Sequence, residues 1–204
     1  MQILKIYPNS INSRYIDQAV EAMRQGGIIV YPTDTLYALG CDALNKHAVE
    51  RLCALKGLNP DKNLLSVVSS SLSQAAEYAR IDNRAFQILK EYLPGPFTFI
   101  LPASNKLPKV FKGRKTVGLR IPDNPISQAL AEALGNPLLT ASVDVNDMDE
   151  ALITNPDSIA MAYESQAELL IDGGEGDVVA STVVDLSDTY NPEIVRQGKG
   201  EFEL

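Results

Sequence analysis

Hydroxyl and basic side chains recur at the predicted ends of strands in this sequence. They fall in or after short apolar runs, as Thr33-Asp34-Thr35, Thr116 with Arg120, Thr140 with Ser142, Ser181-Thr182, and Arg196, while Lys56 ends a helix. Alternation along a strand puts Thr116 and Arg120 on one face, and likewise Thr140 and Ser142. Ligands gather at strand ends in open α/β sheets. The pattern predicts a ligand site that works through hydroxyls, charge and positioning.

Each of these residues also has a purely structural interpretation. The threonines are good strand formers and could simply belong to the sheet. Lys56 could complement the helix macrodipole at a C-terminus. The two arginines could form surface ion pairs, which stabilise little, and Asp34 could be a turn or cap residue. Composition and spacing alone leave these alternatives open.

The common catalytic motifs are missing from the sequence. It contains no Walker A loop, no G-x-G-x-x-G after a strand and no G-x-S-x-G. Gly173-Gly174-Glu175-Gly176 follows a strand but lacks the lysine and the helix signal of a phosphate loop, which favours a turn. The single histidine, His47, lies early in a helix, and Cys41 and Cys53 lack metal-ligand spacing. A zinc site or a Cys–His nucleophile is therefore not expected.

Predicted helices and strands alternate along the chain. Apolar periodicity and capping residues predict helices over 14–25 and 45–56, and others starting at Ser71, Asp82, Asn124 and Asn155. Strands are predicted over 28–31, 64–68, 97–101, 115–120, 138–141, 169–171, 182–185 and 194–196. Residues 143–155 are predicted as a surface loop, with a lid over a ligand as the alternative. The alternation indicates a single α/β domain over residues 1–204, with a mixed sheet.

Composition narrows the class of protein. Of the 204 residues, 45% are hydrophobic and 22% charged, as in ordinary globular chains. The two cysteines form no disulfide framework, Met1–Pro8 does not resemble a signal peptide, and no stretch is long enough to cross a membrane. We therefore expect a cytoplasmic protein without a membrane partner. The net charge of -8 disfavours non-specific nucleic-acid binding but allows a local basic pocket.

Taken together, these segments resemble the YrdC/YciO family over nearly the whole chain. The most specific segment is Tyr31-Pro32-Thr33-Asp34-Thr35-Leu36-Tyr37-Ala38-Leu39-Gly40. The supporting segments follow in the family order: Lys56-Gly57, Leu93-Pro94-Gly95-Pro96-Phe97-Thr98, Val117-Gly118-Leu119-Arg120-Ile121-Pro122, Thr140-Ala141-Ser142, Ser181-Thr182-Val183-Val184-Asp185 and Arg196-Gln197-Gly198. Any one of them could arise by chance, but all of them in order make accident very improbable.

The resemblance implies a fold and an activity. The fold is a YrdC-like twisted, open mixed sheet with helices on both sides and a concave, positively charged site. The activity is L-threonylcarbamoyladenylate synthesis, in which threonine, bicarbonate and ATP give threonylcarbamoyl-AMP and pyrophosphate. The product feeds the threonylcarbamoyladenosine modification of tRNA position 37. The implied partners are ATP, L-threonine and bicarbonate, with RNA or tRNA-modification proteins. Mg²⁺ would bridge the phosphates, as it does for most triphosphates.

The resemblance also assigns roles to individual residues. Those facing ATP and its phosphates would be Lys56, Thr116, Ser142 and Arg196, and those facing threonine would be Thr35, Arg120, Thr140 and Ser181. Arg120 would grip the threonine carboxylate with its bidentate fork, and Arg196 would clamp a phosphate. No residue is expected to act as a nucleophile, because the threonine carbamate attacks the α-phosphate and the site supplies position and charge.

Two positions depart from the synthase pattern. That pattern has Lys-x-Arg where this chain has Lys56-Gly57-Leu58, and Ser-Ala-Asn where it has Ser142-Val143-Asp144. Leu58 cannot pair with phosphate, although Lys62 nearby is a candidate substitute, and Asp144 puts a carboxylate beside phosphates. Both departures resemble the YciO branch. The alternatives to synthase activity are therefore a nucleotide- or double-stranded-RNA-binding protein without efficient chemistry, and an assembly module that uses the fold as a scaffold.

Overall fold

The strands of this chain form one mixed sheet, with helices packed against it. The computed structural model describes residues 1–59, 63–108, 111, 113, 115–143 and 150–203. The strands are β1 (Gln2–Lys5), β2 (Ile29–Tyr31), β3 (Ala38–Asp42), β4 (Ser66–Val68), β5 (Phe97–Pro102), β6 (Thr116–Arg120), β7 (Leu138–Ser142), β8 (Leu169–Asp172), β9 (Thr182–Asp185) and β10 (Glu193–Arg196). The helices are α1 (Ser13–Arg24), α2 (Lys46–Leu55), α3 (Leu72–Tyr78), α4 (Asn83–Tyr92), α5 (Pro125–Leu134), α6 (Glu150–Thr154) and α7 (Pro156–Ala162). None of the described helices is both long enough and apolar enough to cross a membrane.

The described strands pair into a ten-stranded open sheet in the order β1-β8-β2-β3-β7-β4-β6-β5-β9-β10. The pairs β1–β8, β2–β8, β4–β6 and β5–β9 are parallel, whereas β2–β3, β3–β7, β4–β7, β5–β6 and β9–β10 are antiparallel. The predicted open mixed sheet is therefore confirmed. Of the strands that carry the predicted site, β6, β7 and β9 lie inside the sheet, whereas β10, which carries Arg196, is an edge strand.

Helices cover both faces of the sheet. In β2, Val30 belongs to one buried apolar cluster, while its neighbours Ile29 and Tyr31 belong to another. The first cluster also contains residues of α2, α3, α4 and α7, and the second contains residues of α1 and α5. The sheet is therefore buried on both sides over its centre, which holds the strand ends of the predicted site in fixed positions.

The predicted capping residues begin the helices. Five caps have a side chain that accepts a hydrogen bond from a backbone N–H of the following first turn: Asn45, Ser71, Asp82, Asn124 and Asn155. Ser71-x-x-Gln74 has the form of a capping box, but Gln74 Oε1 accepts from the backbone N–H of Ser70 rather than from that of Ser71. Gly135 ends α5 with φ 68°, in the left-handed region that favours glycine.

Three elements lie outside the predicted set. All five residues of β3 are buried, but its alanine, glycine and aspartate are poor strand formers. Pairing with β2 and β7 puts this segment in the sheet, so tertiary contacts decide it. β1 has a single buried residue, Leu4, and gives no clear alternation. The prediction of a loop over 143–155 is wrong for α6, whose five residues are too few to show a helical period.

Gly40 allows the ring of Tyr31 to lie against the backbone of β3. A Cβ at Gly40 would lie 2.7 Å from Cε1 of Tyr31 and 3.1 Å from Cδ1 of Leu138. Both side chains are fully buried and have no room to move. We expect Gly40→Ala to lower the free energy of unfolding by about 1–3 kcal/mol, as overpacking does. Urea denaturation measures this change, and an unaltered midpoint would contradict the close contact.

Candidate functional site

A cavity of about 210 Å³ lies over the central strands of the sheet. Residues of β4, β5, β6, β7, β9 and β10 line it, together with leucines from α2 and the segments that flank β4. Its polar lining consists of Ser66, Thr98, Arg120, Thr140, Ser142, Ser181 and Arg196. The cavity thus joins segments that are far apart in the chain but adjacent in the sheet.

Arg120, the last residue of β6, is the buried cation of the cavity, with an exposed fraction of 4%. Its Nη2 donates to Asp34 Oδ1 at 3.1 Å and to Thr35 Oγ1 at 3.0 Å. Among the described residues, nothing accepts a hydrogen bond from the buried Nε of Arg120. An unpaired buried guanidinium N–H is costly, and a carboxylate or phosphate oxygen would satisfy it.

Hydrogen bonds hold the segment between β2 and β3 against Arg120. Thr33 Oγ1 donates to the carbonyl of Leu36 at 2.7 Å and accepts from the backbone N–H of Thr35 at 3.0 Å. Because the hydroxyl proton of Thr33 is used in this way, Thr35 Oγ1, 3.0 Å away, must be the donor of that pair. The lone pairs of Thr35 Oγ1 then face Nη2 of Arg120, which fixes both side chains.

Asp34 is the counterion of Arg120. Its Oδ2 also accepts from the backbone N–H of Asp123 at 2.9 Å, and its carbonyl accepts from Lys199 Nζ at 2.8 Å. The side chains of Asp34 and Arg120 are 8% and 5% exposed, so this ion pair is nearly free of water. Of the interpretations left open by spacing, a simple turn or cap role for Asp34 and a surface ion pair for Arg120 are both wrong.

Arg196 brings a second guanidinium group to the cavity. Its Nε and Nη2 donate to the carbonyl of Ser181 at 3.2 and 2.7 Å, and Nη2 lies 3.3 Å from Ser181 Oγ. Burial lowers the pKa of Arg196, and the nearby charge of Arg120 lowers it further. Asp34 balances one of the two positive charges, so the described groups keep one net positive charge, which favours an anion beside the arginines.

Two hydrogen bonds between hydroxyl groups complete the polar wall. Tyr31 Oη and Thr140 Oγ1 are 2.7 Å apart, and Thr98 Oγ1 and Ser181 Oγ are 2.9 Å apart. Burial raises the pKa of Tyr31 to about 12, so this hydroxyl keeps its proton at neutral pH. Among the described residues, the wall is therefore neutral except for its two arginines, and these residues position groups without supplying a general base.

Comparison with known proteins assigns the family. The model of the Sua5/YciO/YrdC family, described as "Telomere recombination", matches residues 21–198. The chain belongs to this family. The expected twisted, open mixed sheet with helices is confirmed, since solved structures of family members match the chain over nearly its whole length. The positive charge of the site stays a prediction.

Family members of two kinds are similar to this chain. The Escherichia coli protein YciO is 42% identical over 204 residues, covering 99% of this chain and 98% of YciO. Its crystal structure matches with a TM-score of 0.89 at 40% identity, over 98% of this chain and 97% of that one. A Pyrococcus abyssi threonylcarbamoyl-AMP synthase is 34% identical over 86% of this chain and 52% of the synthase. P. abyssi Sua5 in complex with L-threonine matches with a TM-score of 0.85 at 32% identity, over 97% and 58% of the two chains.

Most of the predicted site residues meet at the cavity. Five of them line it: Arg120, Thr140, Ser142, Ser181 and Arg196. Thr35 does not line this cavity: it lines a second cavity of about 390 Å³, with Thr33, Asp34 and Lys199, and is joined to the first through its hydrogen bond to Arg120. Their ligand roles within the family site stay predictions.

Lys56 and Thr116 are not brought to the cavity. Lys56 is the C-cap residue of α2, and the cavity is reached two residues later, at Leu58. Thr116 begins β6 and pairs with Pro102, at the opposite end of that strand from Arg120. Thr116 and Arg120 share a face of β6 but lie four residues apart, at about 3.3 Å per residue. That distance is too long for one small ligand to contact both side chains. Their roles toward ATP stay predictions.

Three further residues contribute to the site without having been assigned a role from the sequence. Thr98 belongs to the Leu93–Thr98 family segment. The sequence signal for its role was a hydroxyl residue between the two buried aromatic residues Phe97 and Phe99. Ser66 opens β4 and gives no signal beyond its place in a strand. Lys199 follows Arg196-Gln197-Gly198 and looks like an ordinary surface lysine.

Of the two departures from the synthase pattern, Leu58 lies among the described residues and Asp144 does not. Leu58 lines the cavity and packs against the apolar core. Asp144 and the proposed substitute Lys62 lie outside the described residues. The segment Gly173–Gly176 is an irregular loop with no helix after it, as predicted, and Tyr37 Oη donates to its Gly174 carbonyl at 2.6 Å.

Lys199 links the loop of Asp34 to the loop that follows β8. Its Nζ pairs with Asp177 Oδ2 at 2.7 Å as well as with the Asp34 carbonyl. The hydrogen bond from Lys199 is the main cause that lowers the pKa of Asp177. A carboxyl whose pKa is lower in the folded state stabilises the fold at neutral pH, and this contribution is lost as the pH falls through that folded pKa.

We therefore expect Lys199→Met to lower the free energy of unfolding at pH 7 by up to about 1 kcal/mol, because the pair is partly exposed. The difference from the wild type should shrink in acid, once Asp177 is protonated in both proteins. Urea denaturation at neutral and acid pH measures this. Lys5→Met is a matched control, since Lys5 pairs with Asp172 at 3.4 Å on the edge strand β1. A difference that persists unchanged in acid would contradict the assignment.

Proposed function

We propose that this chain binds an amino-acid carboxylate and the phosphates of ATP at the Arg120–Arg196 cavity, and forms a carbamoyl-adenylate of the threonylcarbamoyl-AMP type. The observation that carries the proposal is the buried Nε of Arg120, which has no acceptor among the described residues, in a cavity shared with a second arginine. The similarity to a threonylcarbamoyl-AMP synthase and to Sua5 in complex with L-threonine supports it.

The two arginines bind different groups: Arg120 binds the carboxylate and Arg196 binds a phosphate. Asp34 and Thr35 already occupy Nη2 of Arg120, whereas the buried Nε has no acceptor among the described residues, so Nε is assigned to a ligand carboxylate. Arg196 is anchored to the carbonyl of Ser181 through two nitrogens, so its charge sits at a fixed place for a phosphate. Donors held in fixed positions stabilise developing negative charge more than flexible surface cations do, because they need not reorganise during the reaction.

The proposed reaction needs no covalent enzyme intermediate. The substrate amine forms an N–C bond to the carbon of bicarbonate, and water leaves to give a carbamate. A carbamate oxygen then attacks the α-phosphorus of ATP, and the bond to the β-phosphate oxygen breaks. Pyrophosphate leaves with the electron pair of that bond. The chain contributes orientation and charge neutralisation, which alone can lower such a barrier substantially.

Mg²⁺ is expected to accompany the triphosphate. Among the described residues, no group of three or more His, Cys, Asp or Glu side chains could hold a metal ion. Mg²⁺ is commonly bound through substrate phosphates with few protein ligands. It would supply charge neutralisation at the phosphates, and no step of the proposed reaction is assigned to a protein-bound metal. Binding of double-stranded RNA stays an untested alternative.

The test is pyrophosphate release from ATP with purified protein, with threonine and bicarbonate each omitted in turn, and with the adenylate product identified by mass spectrometry. Arg196→Gln should lower kcat/KM by about 10–100-fold, the effect of losing a charge-assisted hydrogen bond. Arg14→Gln is the control, because Arg14 is exposed on α1. Pyrophosphate release that needs neither threonine nor another amino acid would overturn the proposal.

A further inference from the structure

Besides its arginines, the cavity has an apolar wall. Five leucines line it: Leu52, Leu58, Leu64, Leu65 and Leu139. The volume of about 210 Å³ is below the roughly 300–1,000 Å³ of most small-molecule sites. The group that occupies this part of the site is therefore small, of the size of an amino acid.

The leucine wall exists before any ligand binds. Leu52, Leu65 and Leu139 are at most 2% exposed and belong to the buried core. Leu58 packs against the same core, and its backbone N–H donates to the carbonyl of Cys53 at 2.8 Å. A ligand that contacts these side chains meets a surface already fixed by the fold, so little ordering is required.

Three of the five hydroxyl groups that line the cavity are already engaged with protein partners. Thr140 is hydrogen-bonded to Tyr31, and Thr98 to Ser181, which also receives Nη2 of Arg196. A ligand hydroxyl would have to share these groups or remain unpaired in an apolar site, which is costly.

The two remaining serines of the lining do not offer a clear partner for a ligand hydroxyl. Ser66 Oγ lies so close to Gly118 that a Cβ on that glycine would not fit, which closes one side of the hydroxyl. Ser142 is half-buried at the end of β7, so water can satisfy its hydroxyl without a ligand. The amino-acid side of the cavity is left with leucines as its main surface.

We propose that the amino acid bound at Arg120 carries a small branched aliphatic side chain, as L-valine does, in preference to the hydroxyl-bearing side chain of L-threonine. The inference rests on the proposed function, because Arg120 must hold the carboxylate. The carboxylate accepts from Nε of Arg120, and the side chain lies against Leu58 and Leu64. Valine and threonine have nearly the same shape, so the pair isolates the polarity of this wall.

Titration calorimetry in the presence of ATP compares L-valine with L-threonine on the wild-type protein. Valine should bind about tenfold more tightly, the scale at which apolar pockets discriminate such isosteres. Leu58→Asn should remove most of that preference. Leu44→Asn is the matched control, since Leu44 is exposed just before α2 and does not line the cavity, and it should leave the preference unchanged.

The outcomes separate the two proposals. Threonine binding more tightly than valine to the wild type would overturn the inference and leave the proposed function standing. Binding of neither amino acid would overturn both. Valine preference that survives in Leu58→Asn would also overturn the assignment of the wall. If that variant is unstable by its Tm, Leu64→Asn, at a half-buried position of the same wall, supplies the comparison.

Discussion

Replacing Arg120 with methionine is expected to abolish amino-acid-dependent pyrophosphate release, with kcat/KM falling by about 10³-fold or more. Methionine keeps much of the side-chain volume but removes every donor. The loss is twofold, because Nε is the proposed carboxylate donor and Nη2 holds Asp34 and Thr35 in place. Steady-state pyrophosphate release with saturating ATP and bicarbonate measures the change.

Arg120→Lys separates charge from geometry. Lysine keeps the positive charge, but one ammonium group cannot contact Asp34, Thr35 and a carboxylate in the arrangement of a planar guanidinium. We expect activity to stay well below that of the wild type, although folding is largely retained. Thermal unfolding of both variants shows whether lost activity reflects lost structure. A folded Arg120→Met protein with wild-type kcat/KM would contradict the assigned role.

Asp34→Asn is expected to have the largest effect on stability. It leaves the buried guanidinium of Arg120 without its counterion, and removal of one partner from a buried pair typically costs about 3–5 kcal/mol. The same change leaves more uncompensated positive charge beside the cavity. We therefore expect inorganic pyrophosphate to raise the Tm of Asp34→Asn more than that of the wild type, since a ligand of the native state stabilises it.

Urea denaturation and thermal unfolding with and without pyrophosphate measure both effects. Asp123→Asn is the control, because Asp123 is exposed and its contact with Asp34 uses only the backbone N–H. It changes the net charge by the same amount without touching Arg120. Equal losses of unfolding free energy in the two variants would contradict the prediction that the buried Asp34–Arg120 pair stabilises the fold more than an exposed carboxylate does.

The fold was largely predictable because its signals are local. Five helices begin at caps that the sequence identifies, and the strands that sequence patterns marked are short apolar runs. β3 was not predictable, since Ala38, Gly40 and Asp42 are poor strand formers, and only pairing with β2 and β7 makes that segment a strand. The five-residue α6 was missed because one and a half turns show no period.

The site was predictable as a set of residues but not as a network. Strand ends and family motifs named Arg120, Thr140, Ser181 and Arg196, and the sheet brings these together. The pairing of Arg120 with Asp34 joins residues 86 positions apart, and no sequence period reports such a contact. The link from Lys199 to Asp34 spans 165 positions. Such contacts depend on strand order, which no single segment encodes.

Leu58, which replaces an arginine of the synthase motif, forms part of the cavity wall. In the sequence it is a missing cation, which argues against phosphate binding at that position. In the structure it is part of an apolar wall facing the same cavity as the two arginines. The family site is therefore compatible with altered amino-acid selection, which is a different consequence from loss of activity.

Titration calorimetry with ATP and an amino acid, separately and together, tests the central claim most directly. The claim is that Arg120 and Arg196 form the anion-binding part of an amino-acid and ATP site. The predicted result is binding of ATP and of valine or threonine by the wild type, with amino-acid binding lost in Arg120→Met and ATP binding weakened in Arg196→Gln. Failure of the folded wild-type protein to bind either ligand, or equal binding by the wild type and both variants, would contradict it.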